Sequence, residues 1–278
     1  MIKILATTDM SANSRAGMKY AIQLARQMKA KLTFIHVHTV LRASSWSEAT
    51  YRYYIDEEKA VLEKDLQRFI SSVYKSMKLE DKGYTFCVLH TFDTADSIMK
   101  YAERNDFNYI CISARGAGTL VKLFGTVTGT LISSSKVPVI VVPKKYRWKP
   151  LTKVLYASDL TRYEEELKEV ISFAKPFKAE VEMLHLSYPF EVLADENLLQ
   201  RSLKKKFRYP VELHYEKRDL EETILEDLGH AVKKSKPSLV AMFTQQRQSF
   251  FDRVFIGSTS KDYSFRAQVP LLIIPKKV

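Results

Sequence analysis

The chain contains two copies of one sequence pattern, and this repeat restricts the possible fold more than any other feature. VPVIVVPKK at 137–145 matches VPLLIIPKK at 269–277, and KILATTDMS at 3–11 matches KVLYASDLT at 153–161. The matching segments occur in the same order in both halves. A repeat of this kind predicts two units of one architecture arranged in tandem.

The boundary between the copies is placed in the polar stretch 143–151, which has a proline near each end. It predicts one domain over 1–146 and a second over 151–278. The second copy is shorter, mainly because the loop and helix around 39–80 shrink.

Each copy alternates short apolar runs with segments of helical periodicity. Runs such as VIVV and LLII are too short for helices and suit strands that are covered on both faces. Strands that alternate with helices form parallel sheets, since parallel neighbours need long crossover connections. The sequence therefore predicts an α/β fold: two tandem doubly wound domains, each with a five-stranded parallel sheet.

The last strand of each copy would be an exposed apolar edge, which soluble proteins avoid. We therefore expect these two strands to pair and to pack the copies as an intrachain pseudo-dimer. Local signals also predict two helix starts. One helix is expected over 127–135, directly after Gly125 and Thr126. A second is expected after Asp219 and Glu222, which have capping-box spacing.

Ligands of doubly wound sheets bind outside the carboxyl ends of the strands, where the strand order reverses. In the first copy this rule places Asp9, His38, Thr91 and the loop after Ile112 on one rim. The site, if present, is expected there.

A glycine-rich loop follows the predicted fourth strand. The chain has only 8 glycines, yet 116–129 contains four of them: Gly116, Gly118, Gly125 and Gly129. Glycines turn backbone amides inward, and a helix start after Gly125 would favour an anion. Arg115 and the Thr126 hydroxyl add charge and a hydrogen bond. The pattern indicates phosphate binding; the alternative is a flexible connection.

Two common phosphate-binding motifs are absent from the sequence. No G-K-[ST] occurs, so there is no Walker lysine, and no G-x-G-x-x-G opens the first helix. The segment TTDMSANSRAG takes that place, with Asp9 at the end of the first strand.

Three segments of the first copy, KILATTDMSANSRAG, LFGT before a helix, and the closing KVPVIVVP, resemble the universal stress protein family. Both copies share the resemblance, so it covers nearly the whole chain. It implies an adenine-nucleotide alpha hydrolase-like fold and a stress-response regulator or sensor. It also implies ATP or AMP binding in the first domain, with Mg²⁺ accompanying ATP.

The family motif transfers to this sequence residue by residue. Asp9 matches the aspartate that contacts the nucleoside, and Val37 and His38 match the adenine-side end of the second strand. Gly116 matches the second motif glycine, and Gly125 with Thr126 matches the G-[ST] pair. Two departures stand out: Ser113 replaces the first glycine, and eight residues rather than nine separate Gly116 from Gly125. Arg115 and Gly118 complete the predicted nucleotide-binding set.

The second copy keeps only part of this motif. Asp159 and the pair Gly257–Ser258 are present, but no glycine lies between Phe243 and Ile256. Without glycine, curling amides inward carries a steric penalty. We expect a vestigial second site, in a domain that serves as the pairing partner.

Two alternatives stay open. In the first, both sites are vestigial and the protein is a module that binds protein partners. In the second, it is an enzyme acting on nucleotides or phosphoesters. No catalytic residue is identified, although slow ATP hydrolysis is compatible with the sequence. His36 and His38 share a strand face but lack a third ligand nearby, so no metal site is predicted.

Composition restricts the partners and the compartment. The net charge of +12 favours anionic partners. The basic stretch at 202–208 is read as a solvated face, so nucleic acid is not expected as a partner. The chain shows no signal peptide and no membrane-length apolar run, which predicts a cytoplasmic protein without a membrane partner. A homodimer of whole chains stays open.

Overall fold

The computed structural model describes residues 1–40, 43–114, 120–244 and 269–276, and for 120–125 it describes the backbone alone. The first half contains β1 Lys3–Thr8, α1 Arg15–Met28, β2 Lys31–His38, α2 Glu48–Ser76, β3 Tyr84–His90, α3 Thr94–Arg104, β4 Tyr109–Ser113, α4 Leu120–Ser134 and β5 Val139–Val142. The second half contains β6 Lys153–Ala157, α5 Tyr163–Ala174, β7 Glu180–Ser187, α6 Glu196–Phe207, β8 Val211–Lys217, α7 Ile224–Ser235, β9 Leu239–Thr244 and β10 Leu271–Pro275.

The strands form one ten-stranded sheet in the order β3-β2-β1-β4-β5-β10-β9-β6-β7-β8. Every pair within a half is parallel, and each half has the same strand order read outward from the centre. The predicted doubly wound α/β fold is confirmed.

The two halves meet at an antiparallel pair, β5 and β10, in which Ile140 lies opposite Leu272. Both side chains are fully buried. The predicted pairing of the last strands is thus present. Because the pair is antiparallel, the carboxyl ends of the two halves point to opposite ends of the sheet. The domain limits 1–146 and 151–278 stay a prediction.

Helices cover both faces of the sheet, and strand alternation divides the core between them. On β2, Phe34 packs in the layer of α1, α2, α5 and α6, whereas Ile35 packs in the layer of α3, α4 and α7. Neighbouring residues of one strand therefore contact different helices. Among the described residues no helix has the length and apolar character needed to cross a bilayer.

Helix α2 is long and only its second half belongs to the core. Leu66, Ile70, Val73 and Tyr74 are buried at helical spacing, whereas the turns before Leu62 are largely exposed. The first half of α2 therefore extends past the sheet and lies over the carboxyl ends of β2 and β3.

Two predicted helix starts are wrong. Helix α4 begins at Leu120 rather than at residue 127, so Gly125 and Thr126 lie inside it. Helix α7 begins at Ile224, with a capping box of Thr223 and Glu226. Asp219 instead accepts a hydrogen bond from the amide of Glu221 (2.9 Å), in the turn before the helix.

Candidate functional site

A cavity of about 240 Å³ opens at the carboxyl ends of β1 and β4, where the strand order of the first half reverses. Its lining consists of Thr7, Thr8, Asp9, Asn13, Ser14, Ile35, Val37, Thr94, Ile98, Ile112, Ser113, Thr126, Val127 and Thr128. Its apolar side chains come from β2, β4, α3 and α4, and hydroxyl, amide and carboxylate groups make up the rest of the lining. Such a cavity suits a ligand with a flat apolar part and a polar part.

Four residues of the predicted site line this cavity: Asp9, Val37, Ser113 and Thr126. They come from four separate elements or their ends, so the fold brings together residues far apart in the sequence. The prediction missed several lining residues, among them Thr94 and Ile98 of α3. The only signal for these two was the position of α3 directly after the carboxyl end of β3.

A short turn fixes the orientation of Asp9 at the rim. Its Oδ1 accepts hydrogen bonds from the amide (3.1 Å) and the hydroxyl (2.7 Å) of Ser11. Met10 has the left-handed φ of 57°, and its amide donates to Oγ1 of Thr8 (3.0 Å). The turn places the exposed Asp9 carboxylate at the rim of the cavity.

Ser113 joins the end of β4 to α1. Its buried Oγ accepts a hydrogen bond from the amide of Gly17 (2.7 Å) and donates to the carbonyl of Ser14 (3.1 Å). A Cβ at Gly17 would lie 2.7 Å from Ser113 Oγ and 2.9 Å from Ser113 N. The close approach of helix and strand therefore requires glycine at 17, a position that the sequence analysis missed.

His38 does not lie in the cavity, because it follows Val37 on the strand and faces the opposite side of the sheet. Its Nε2 contacts Oε2 of Glu58 on α2 at 3.0 Å. His36 shares that face, and its Nδ1–H donates to the carbonyl of Thr8 (2.9 Å). Burial lowers the pKa of His36, so this imidazole stays neutral and ties β2 to the end of β1.

Helix α4 changes the expected role of Gly125 and Thr126. Both lie past the first turn, where backbone amides bond to carbonyls four residues earlier. The hydroxyl-bearing Thr126 borders the cavity, but its amide is not at a helix N-terminus. The predicted residues Arg115, Gly116 and Gly118, and Gly257 and Ser258 of the second copy, lie outside the described residues.

In the second half, Asp159, the counterpart of Asp9, belongs to a buried ion cluster. Lys276, directly after β10, places Nζ 2.8 Å from Glu166 Oε1 and 3.4 Å from Asp159 Oδ2. The side chain of Lys276 is 5% exposed, that of Glu166 is 6% exposed and that of Asp159 is 10% exposed. Burial raises the pKa of Asp159, but hydrogen bonds from Thr161 and the Lys276 ammonium outweigh it and hold that pKa below its usual range.

The side chains around this cluster are larger than those at the matching positions of the first half. By strand register, Tyr156 stands at the position of Ala6 and Phe243 at that of Ser113. The Tyr156 hydroxyl donates to Glu166, which lies in the first turn of α5, as Gly17 lies in the first turn of α1. Burial and the nearby Glu166 carboxylate raise the pKa of Tyr156 well above its usual range. Bulky groups and paired charges thus occupy the α5 side of the second site, and a cavity of about 390 Å³ remains beside Asp159.

The fold and the cavity define a class: a tandem α/β protein with a ligand-sized cavity at the strand-order switch of its first half. The chain belongs to the universal stress protein family, whose sequence model matches residues 1–143. The family resemblance seen in the sequence is confirmed.

Individual relatives agree with this assignment. Universal stress protein YxiE of Bacillus subtilis (strain 168) is 25% identical over 146 residues, covering 50% of this chain and 97% of that protein. A solved universal stress protein from Archaeoglobus fulgidus DSM 4304 is 19% identical, with a TM-score of 0.71 over 99% of this chain and 98% of that chain. A putative universal stress protein from Pseudomonas aeruginosa UCBPP-PA14 is 11% identical, with a TM-score of 0.57 over 98% of this chain and 92% of that chain. The two structures share the fold of this chain.

Proposed function

We propose that the protein is a stress-response regulator that binds one adenine nucleotide, ATP or AMP, in the cavity of its first half. The single observation that carries this proposal is the convergence of Asp9, Val37, Ser113 and Thr126 on one cavity at the strand-order switch. Family membership also supports an adenine nucleotide as the ligand, because the motif residues that resemble the family imply nucleotide binding.

The lining suits the nucleoside part of such a ligand. Val37, Ile98 and Val127 offer an apolar surface for a flat base, and the Asp9 carboxylate suits the ribose hydroxyls. The volume of about 240 Å³ is just below the roughly 300–1,000 Å³ of small-molecule sites. In this proposal the cavity holds the nucleoside and the phosphates extend past it, towards the glycine-rich segment.

The second half does not bind nucleotide in this proposal. Its cluster contains two carboxylates and one ammonium group, so an incoming phosphate would meet surplus negative charge at Glu166 and Asp159. Occupancy is therefore expected at one nucleotide per chain.

Isothermal titration of the full chain with AMP and with ATP tests the proposal. Asp9→Ala is expected to weaken binding about 10-fold or more, since a hydrogen bond to a charged group contributes roughly 1.5–3 kcal/mol. Asp159→Ala removes the equivalent carboxylate of the second half and is expected to leave the affinity unchanged. Circular dichroism confirms that both variants are folded.

The opposite result is also informative. Absence of heat at millimolar AMP and ATP in the folded wild-type chain would favour a protein-interaction module with vestigial sites. Equal affinity of the wild type and Asp9→Ala would remove Asp9 from the site.

A further inference from the structure

In the first half, the chain itself covers the carboxyl ends of β2 and β3. The first half of α2 lies over them: the Tyr51 hydroxyl donates to the carbonyl of Val40 (3.2 Å), and Glu58 contacts His38. The Tyr51 ring also packs edge-on against His90, with centroids 6.0 Å apart. Helix α2 therefore covers the carboxyl ends of β2 and β3.

Among the residues that the structure describes, the second half has no helix in the equivalent place. Helix α6 occupies the same position in the repeat, but it has 12 residues where α2 has 29. The carboxyl ends of β7 and β8 are consequently left to the segments 188–195 and 218–223, which connect to the next helices.

These segments and the first turn of α6 expose apolar side chains, which we call the β7–β8 rim: Tyr188, Phe190, Val192, Leu198 and Leu220. Phe190 is 94% exposed and Val192 is 97% exposed. Burying a side chain of this size contributes roughly 1.5–3 kcal/mol, so exposing several close together in sequence is unfavourable without a partner.

A cavity of about 390 Å³ opens beside Tyr188 and Phe190, and its lining includes Asp159 and Leu186, the repeat counterparts of Asp9 and Val37. Its ionisable groups are paired within the protein. Asp159 is paired with Lys276. His185 Nε2 contacts Glu191 Oε1 at 3.0 Å, and the buried Arg218 donates to Asp227 Oδ2 at 2.9 Å. Leu186 and Ile224 supply apolar lining. With the charges neutralised, the cavity suits an apolar side chain better than a free ion.

Carboxylates surround the rim. Residues 188–196 contain three acidic residues and no lysine or arginine: Glu191, Asp195 and Glu196. Residues 219–226 contain four acidic residues and no lysine or arginine: Asp219, Glu221, Glu222 and Glu226. In a chain with a net charge of +12 this negative surface is local, and it complements a cationic partner.

We propose that the β7–β8 rim binds an amphipathic helix of a partner protein, with an apolar side chain in the 390 Å³ cavity and lysines or arginines facing the surrounding carboxylates. The occupant is a helix because a helix covers the equivalent strand ends of the first half, and helices bind apolar grooves in this way. The proposal is independent of nucleotide binding in the first half.

Fluorescence anisotropy with a labelled model peptide tests this proposal on the full chain. The probe is a helical peptide with leucine and tryptophan on one face and lysine on the other. We expect saturable binding that weakens with added salt and falls about 10-fold or more in Phe190→Ser. The matched variant Tyr53→Ser, which removes an aromatic side chain 65% exposed on α2, is expected to bind like the wild type.

Three results would overturn the proposal. The first is that a peptide with glutamate in place of lysine binds as tightly as the lysine peptide. The second is that the Phe190→Ser variant binds the lysine peptide as tightly as the wild type does. The third is that the wild type shows no saturable binding. Sedimentation of the protein alone supplies a further check. A dimer that Phe190→Ser dissolves would assign the rim to a second copy of the chain instead.

Discussion

Lys276→Met is expected to lower the free energy of unfolding by about 3–5 kcal/mol, the usual cost of removing one partner from a buried ion pair. Methionine keeps the unbranched stem of the lysine side chain but lacks the ammonium group. Glu166 and Asp159, whose side chains are 6% and 10% exposed, then lose their shared cation. Urea denaturation followed by circular dichroism measures the loss.

The repeat supplies the control for this variant. Lys144 stands at the equivalent position of the first copy and is exposed, so Lys144→Met is expected to change stability by less than about 0.5 kcal/mol. Equal, small effects of the two substitutions would contradict the assigned role of Lys276. The double variant Lys276→Met with Glu166→Gln is expected to recover part of the loss, because one unpaired charge is removed with it.

The cluster also predicts a dependence on pH. In the wild type the pKa of Asp159 is lowered, so its contribution to stability is present above the unfolded pKa of about 3.9 and is lost as the pH falls through the folded value. Without Lys276, Asp159 loses a cation that lowers its pKa, so the pKa of Asp159 is expected to rise. The deficit of Lys276→Met should therefore shrink as the pH falls from 7 towards about 5.

Gly17→Val is expected to lower the free energy of unfolding by about 3 kcal/mol, at the upper end of the penalties for overpacking. The Cβ alone would lie 2.7 Å from Ser113 Oγ and 2.9 Å from Ser113 N, and the second of these atoms is backbone. The helix and the end of β4 must separate, which also lengthens the hydrogen bond from the Gly17 amide to Ser113. Thermal or urea denaturation gives the value.

Gly129→Val is the matched comparison. Gly129 also lies in a helix, but a Cβ there meets no atom within 4 Å. Because valine has a slightly better helix propensity than glycine, a change within about 0.5 kcal/mol is expected. A loss of similar size in both variants would indicate that the strain is general to helical glycines and not specific to the contact with Ser113.

The sequence predicted the architecture because each signal was local or repeated. Alternating apolar runs and helices gave ten strands, and the matching PVIVV and PLLII segments identified the two edges that pair as β5 and β10. The position of Asp9 was predictable because it stands at the carboxyl end of a strand, where a doubly wound fold places its ligand. Val37 entered the predicted site through the family resemblance.

The other features depend on contacts between distant segments. The bond between Gly17 and Ser113 joins residues 96 positions apart, and Lys276 reaches Asp159 across 117 positions. No local pattern encodes such pairs. Helix α4 begins at Leu120, before the glycine at 125 from which its start was predicted. Val37 and His38 cannot both face the cavity, because side chains alternate along a strand. The family motif places both at the adenine, and only Val37 lines the cavity.

Photoaffinity labelling with 8-azido-ATP, followed by peptide mass spectrometry, tests the central claim most directly. The account predicts one adduct per chain, competed by AMP and ATP, on peptides that line the first cavity, around Ile35–Val37, Thr94–Ile98 or Thr126–Thr128. Adducts confined to peptides of the second half, or labelling that unlabelled nucleotide does not reduce, would contradict it.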